Sequence, residues 1–203
     1  MDLITIDFET YYDKDFSLSK LTTEEYIRDP RFEVIGVAVK VNNGPTEWAS
    51  GTHQELTEYL HQFDWGSSFV LAHNTMFDGA ILSWIFNCVP PSHYLDTMCI
   101  GRGLHGVEAS ASLKALAERY GIGEKGDEVL NALGKRREDF TESELSKYGD
   151  YCINDVELTY DLFSIMSETF PKKELKVIDC TLNMFIKPNL ELDLGLLEQH
   201  LIN

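Results

Sequence analysis

The stretch Leu3-Ile4-Thr5-Ile6-Asp7-Phe8-Glu9-Thr10 constrains this chain more than any other. It reads as a hydrophobic β-strand that places two carboxylates, Asp7 and Glu9, at its end. Successive side chains on a strand face opposite ways, so Asp7 and Glu9 project together beside a run that must be buried. Two anions next to an apolar core repel each other and resist desolvation unless a cation lies between them. A strand ending in Asp-x-Glu is therefore a candidate half-site for a hard divalent cation, the other half coming from elsewhere in the chain.

With 203 residues, 43% of them hydrophobic, the chain has material for one sizeable domain with a proper core. No apolar run reaches the length of a bilayer span, and the first strand begins almost at Met1, leaving no room for a basic-then-apolar leader. The expectation is a cytoplasmic protein without membrane association. Cys88, Cys99, Cys152 and Cys180 are scattered, which fits reduced thiols. Charge is the awkward fact: 34 acidic against 17 basic residues give −17, whereas nucleic-acid binders usually show a basic face. Basic residues cluster at Lys135-Arg136-Arg137 and at Lys172, Lys173 and Lys176, and none lies between Lys40 and Arg102. A polyanionic substrate would have to be held by metal ions, local basic spots, stacking, or a partner domain.

Periodicity predicts further strands at Phe32–Val41, Thr46–Ala49, Ser68–Ala72 and Tyr94–Thr97. The turn Asn42-Asn43-Gly44-Pro45 makes the first two an antiparallel pair. Helices are predicted over His53–Phe63, Asp78–Cys88, about 112–120, about 126–133, about Glu142–Ser167 and Lys172–Ile186, with another beginning after Asp193. Thr141 is a good N-cap, with Glu144 three residues on as in a capping box. Three strands in a meander, then strands alternating with helices, imply an α/β fold: a mixed five-stranded sheet with helices on both faces.

Two more acidic positions stand out. In His73-Asn74-Thr75-Met76-Phe77-Asp78 a buried strand feeds a helix, with Asp78 at or near its first turn. Alone, Asp78 is explained as a carboxylate favoured by the helix dipole. In Tyr151-Cys152-Ile153-Asn154-Asp155 the spacing of four aligns Tyr151 and Asp155 on one helical face, which alone is an ordinary polar face.

Taken together, Asp7-x-Glu9, Asn74-x-x-x-Phe77-Asp78 and Tyr151-x-x-x-Asp155 resemble, in order and spacing, the three motifs of the DnaQ-like (DEDD) 3′–5′ exonuclease superfamily. The resemblance covers about residues 1–170 and implies a ribonuclease H-like fold. Asp150 occupies the place of the histidine that marks the other branch, so Tyr151 assigns the chain to the tyrosine type. The resemblance implies that Asp7, Glu9, Asp78 and Asp155 hold two divalent cations, Mg²⁺ or Mn²⁺, roughly 4 Å apart, for in-line displacement at phosphorus. Asp7 would bridge both ions, with Glu9 and Asp155 on the nucleophile side and Asp78 on the other. Tyr151 would orient the attacking water, since a phenol with a pKa of about 10 is a poor base at neutral pH. Phe8, Thr10, Asn74 and Phe77 would meet the terminal nucleotide, with the rings of Phe8 and Phe77 reading better as core. His73 and Asp96 read as structural, and Lys135-Arg136-Arg137 as a solvated loop or a steering patch for phosphates.

The form Asn-x-x-x-Phe-Asp and the tail Thr181-Leu182-Asn183-Met184-Phe185-Ile186-Lys187-Pro188-Asn189-Leu190-Glu191-Leu192-Asp193 look like the proofreading domain of a phage family A-type DNA polymerase. This implies release of nucleoside monophosphates from a single-stranded DNA 3′ end, in the host cytoplasm for a phage protein. It also implies a helical linker over 171–203 leading to a polymerase domain, in cis or as a partner, outside these residues. Two alternatives stay open: an RNA 3′-end trimming enzyme of ribonuclease D type, and a non-catalytic scaffold. None of the four acidic ligands is missing, which argues against the scaffold.

Overall fold

The computed structural model describes residues 1–123, 132–190 and 192–202. Five strands form one sheet: β1 (Leu3–Thr10), β2 (Val34–Val41), β3 (Thr46–Ala49), β4 (Phe69–Ala72) and β5 (His93–Asp96). Their order is β3-β2-β1-β4-β5. The first three strands pair antiparallel, while β4 pairs parallel with both β1 and β5. This is the ribonuclease H-like mixed sheet that the sequence predicts.

The helices are α1 (Thr23–Arg28), α2 (His53–Leu60), α3 (Thr75–Ala80), α4 (Thr97–His105), α5 (Leu113–Tyr120), α6 (Glu142–Met166), α7 (Lys172–Ile186) and α8 (Leu194–Ile202). Because β1 is central, both of its faces are covered. Ile4, Ile6 and Phe8 join Leu56 and Leu60 of α2, Ala80 of α3, and Leu182 and Ile186 of α7 in the main core. On the opposite face Ala38 of β2 meets Cys152 and Val156 of α6. A helix interior then links α6 to Ile100 of α4 and to Leu113 and Leu116 of α5. Helix α7 also caps the sheet edge, for Asp179 Oδ1 accepts the Tyr94 N–H of β5 at 2.8 Å. Helix α8 buries no residue and exposes Leu194, Leu196, Leu197 and Leu201.

Several boundaries differ from expectation. Strand β2 starts at Val34 and α2 stops at Leu60. The helix expected from Asp78 begins three residues earlier, at Thr75, and its second half is a π-helical turn, Ile81–Ile85. The helix expected over about 126–133 falls mainly on residues outside the described set. Helices α1 and α4 are additions. Helix α4 is opaque to periodicity because it contains Gly101 and Gly103, each lowering helix propensity by about 1 kcal/mol. Packing overrides that: a Cβ on Gly101 would lie 2.7 Å from Leu116 Cδ1, and one on Gly103 2.7 Å from Phe170 Cε2.

Helix α6 approaches the sheet closely because of Trp48. Its indole is packed between Gly36 of β2 and Gly149 of α6, where a Cβ would lie 2.5 Å from Trp48 Cδ1. A second tie is the buried Lys40 ammonium, which donates to Glu157 of α6 at 2.9 Å and to the Gly44 carbonyl at 2.7 Å. Gly149→Ala is expected to lower the melting temperature. Overpacking costs about 1–3 kcal/mol, which outweighs the ~1 kcal/mol of helix propensity that alanine adds. A thermal melt checks the sign, and a rise would mean that Trp48 yields freely.

Candidate active site

Strand β1 outlasts β4: the parallel pairing ends at Thr5↔Leu71, while β1 runs on to Thr10. The exposed edge of β1 beyond that point is met by a side chain. The Phe8 N–H donates to Asp78 Oδ1 at 3.0 Å. Asp78 is the fourth residue of α3 and only 2% exposed. Burial, and then the negative charge of Asp7, push its carboxyl well above the usual carboxylate range, against which the Phe8 N–H works. The chain reaches α3 through Asn74, whose backbone is left-handed at φ 80°, a conformation that asparagine tolerates and most residues resist.

Asp7 and Glu9 share the α6 face of β1, as alternation requires. Ligand atoms of Asp7, Glu9 and Cys152 all lie within 4.8 Å of one another. The Cys152 thiol donates to Asp7 Oδ2 at 3.3 Å, and the Tyr148 phenol lies in the field of Glu9. Burial first, then the charges of Asp7 and Glu9, push the Cys152 thiol well up, so it stays protonated and acts as donor. Burial and Glu9 likewise hold Tyr148 neutral. Asp155 follows Cys152 by three residues on α6 and is 5% exposed. Tyr151 is half-buried and packs against the cluster of Ile35, Ala132 and Tyr148.

Next to the carboxylates lies a cleft of about 340 Å³ lined by Phe8, Glu9, Thr10, Tyr12, Tyr26 and Phe77, with Ser17, Leu18 and Ser19 at its rim. The volume falls within the range of small-ligand sites, about 300–1,000 Å³. Thr10 Oγ1 and the Tyr26 hydroxyl are 2.9 Å apart, and the Phe8 ring stacks in the core on Phe86 at 5.8 Å. The structure thus brings Asp7, Glu9 and Asp78 together, places Phe8, Thr10 and Phe77 around one cleft, and sets Asn74 at the turn feeding α3. Sequence reading missed Tyr148, Cys152, Tyr12, Tyr26 and the serine-bearing loop. The first two had a signal, since they lie four apart on the helix that carries Tyr151 and Asp155.

Other sequence candidates are structural. His73 Nδ1 pairs with Thr97 Oγ1 at 2.8 Å, and Asp96 accepts N–H groups from Thr75 and Cys99. The basic triplet is mostly a clasp: Lys135 pairs with Glu144 at 2.6 Å and Arg136 with Glu33 at 2.5 Å. The Arg137 guanidinium instead bonds Ser50 Oγ at 3.2 Å and borders a separate cleft of about 530 Å³ with His53 and Phe86.

The donor set suits hard divalent cations. Asp7, Glu9 and Asp78 are all oxygen donors. The buried Asp78 lies in the field of Asp7, and a divalent cation between such carboxylates would offset their repulsion. Among the described residues, no helix is long and apolar enough to cross a membrane.

No family model matches the chain, and no curated protein sequence matches it. Solved structures do. Brucella melitensis NrnC with bound Mg²⁺ is similar, with a TM-score of 0.63 and 14% identity, covering 92% of this chain and 82% of that one. Trypanosoma brucei RNase D in its complex with GMP gives a TM-score of 0.66 at 12% identity, covering 94% of this chain and 59% of that one. The family B DNA polymerase of the hyperthermophilic archaeon Pyrobaculum calidifontis gives 0.60 at 18% identity, covering 92% of this chain and 27% of the polymerase. The chain shares the ribonuclease H-like α/β fold of these structures.

Proposed function

We propose that this chain is a metal-dependent 3′–5′ exonuclease that removes nucleoside monophosphates from a single-stranded DNA 3′ end and proofreads for a DNA polymerase. The observation that carries the reading is the convergence of Asp7 and Glu9 with the buried Asp78, beside a nucleotide-sized cleft, in this fold. Asp7, Glu9, Asp78 and Asp155 hold two Mg²⁺ or Mn²⁺ ions, which when bound supply a nucleophilic water at neutral pH and stabilise charge on the attacking and leaving oxygens. Tyr151 orients the water. Thr10 and the main chain of β1 hold the terminal nucleotide, Phe8 and Phe77 wall its cleft, and Asn74 fixes the turn that aims Asp78. The −17 charge and the exposed leucines of α8 are what a basic polymerase domain with an apolar docking face would complement.

Likeness to RNase D, which has also been captured with RNA U12, favours RNA trimming as the second reading. A time course on 5′-labelled DNA and RNA strands of equal length, with Mg²⁺, Mn²⁺ or EDTA, separates the two. The expected result is a ladder shortening from the 3′ end of DNA that EDTA abolishes. Equal or faster trimming of RNA would overturn proofreading, and no product with either strand would overturn the exonuclease.

A further inference from the structure

One side chain of α6 touches the paired carboxylates of β1 without belonging to the acidic set. The Cys152 thiol donates to Asp7 Oδ2 at 3.3 Å and lies equally close to the Asp7 main-chain oxygen. Its Sγ and ligand oxygens of Asp7 and Glu9 all lie within 4.8 Å of one another.

The donor is locked: Cys152 is wholly buried, packed with Ala38 of β2. One turn earlier on α6 the buried Tyr148 ring stacks on Phe140 at 5.5 Å with an interplanar angle of 17°, and Trp48 flanks it at 6.4 Å. A lysine or arginine in place of Cys152 would satisfy the carboxylate by cancelling the charge that draws a cation. A thiol occupies one lone pair, fixes the rotamer, and leaves the charge in place.

We propose that Cys152 is a positioning residue that holds Asp7 in the orientation that receives a divalent cation. The proposal rests on the two-metal reading. It gives the Asp7 carboxylate a partner on α6, so that ligand is ordered before metal arrives. Partners of this kind change metal affinity by about 10- to 100-fold.

The test is Mn²⁺ binding to the purified full chain, followed by the paramagnetic resonance of free Mn²⁺, with the Mn²⁺ dependence of strand shortening measured alongside. Cys152→Ala is expected to weaken Mn²⁺ binding by about tenfold. The half-saturating Mn²⁺ concentration should rise in parallel, with a smaller change in rate at saturation. Cys152→Ser retains a donor and should restore most of what Cys152→Ala loses, a rescue that a packing role would not give. Unchanged Mn²⁺ affinity in Cys152→Ala, with binding lost in Asp7→Ala, would overturn positioning and leave the metal site standing. Undiminished Mn²⁺ binding in Asp7→Ala would overturn both.

Discussion

Asp7→Ala is expected to lower the rate of strand shortening by about four orders of magnitude, the scale of losing one member of a cooperating catalytic unit. The same change is expected to raise, not lower, the melting temperature of the metal-free protein. Asp7 and the buried Asp78 lie in each other's field, and after burial itself the charge of Asp7 is the largest influence holding Asp78 away from ionisation. Removing Asp7 gives up a weak thiol hydrogen bond from Cys152 and relieves that repulsion. A gain of about 1 kcal/mol corresponds to about 2–4 °C for a chain of this size. Activity and melting curves on one preparation check both halves. Full activity in Asp7→Ala would remove β1 from the chemistry, and a large fall in melting temperature would make Asp7 a structural residue.

Divalent metal supplies the second large effect. At a hundred times its dissociation constant, Mg²⁺ or Mn²⁺ is expected to stabilise the native chain by about 2.7 kcal/mol, or about 5–10 °C. The increment should vanish in Asp7→Ala and should grow with pH. Asp78 has a folded pKa raised above its unfolded value, so in the absence of metal the native state keeps a proton that the unfolded chain releases. Its contribution to stability is therefore greatest at low pH and declines as pH rises from the ordinary carboxylate value toward the raised one. Metal must displace that proton, so its affinity increases across the same window. Calorimetry in buffers of different ionisation enthalpy would register the released proton. A metal-induced shift in melting temperature independent of pH would exclude Asp78 from the ligand set.

Much of the site was legible because its parts are local. Alternation along β1 puts Asp7 and Glu9 on one face whatever the rest of the chain does, and the four-residue spacing does the same for Tyr151 and Asp155. What was not legible depends on distant partners. The basic triplet looks free in sequence, yet Arg136 pairs with Glu33, 103 residues away, so most of that charge serves the fold and not a phosphate. Helix α4 hides behind its two glycines, whose reason for being there is Leu116 on one side and Phe170 on the other.

The sequence by itself determined the sheet with its meander, the long α6, and the residue types that can hold a hard cation, because periodicity and donor chemistry are written residue by residue. Only the tertiary structure decided that Asp78 closes the open edge of β1 at Phe8, and that α6 meets Asp7 through a thiol. Those contacts follow from how closely one helix packs on one strand. That distance is set by Trp48 between Gly36 and Gly149, three positions that no local pattern connects.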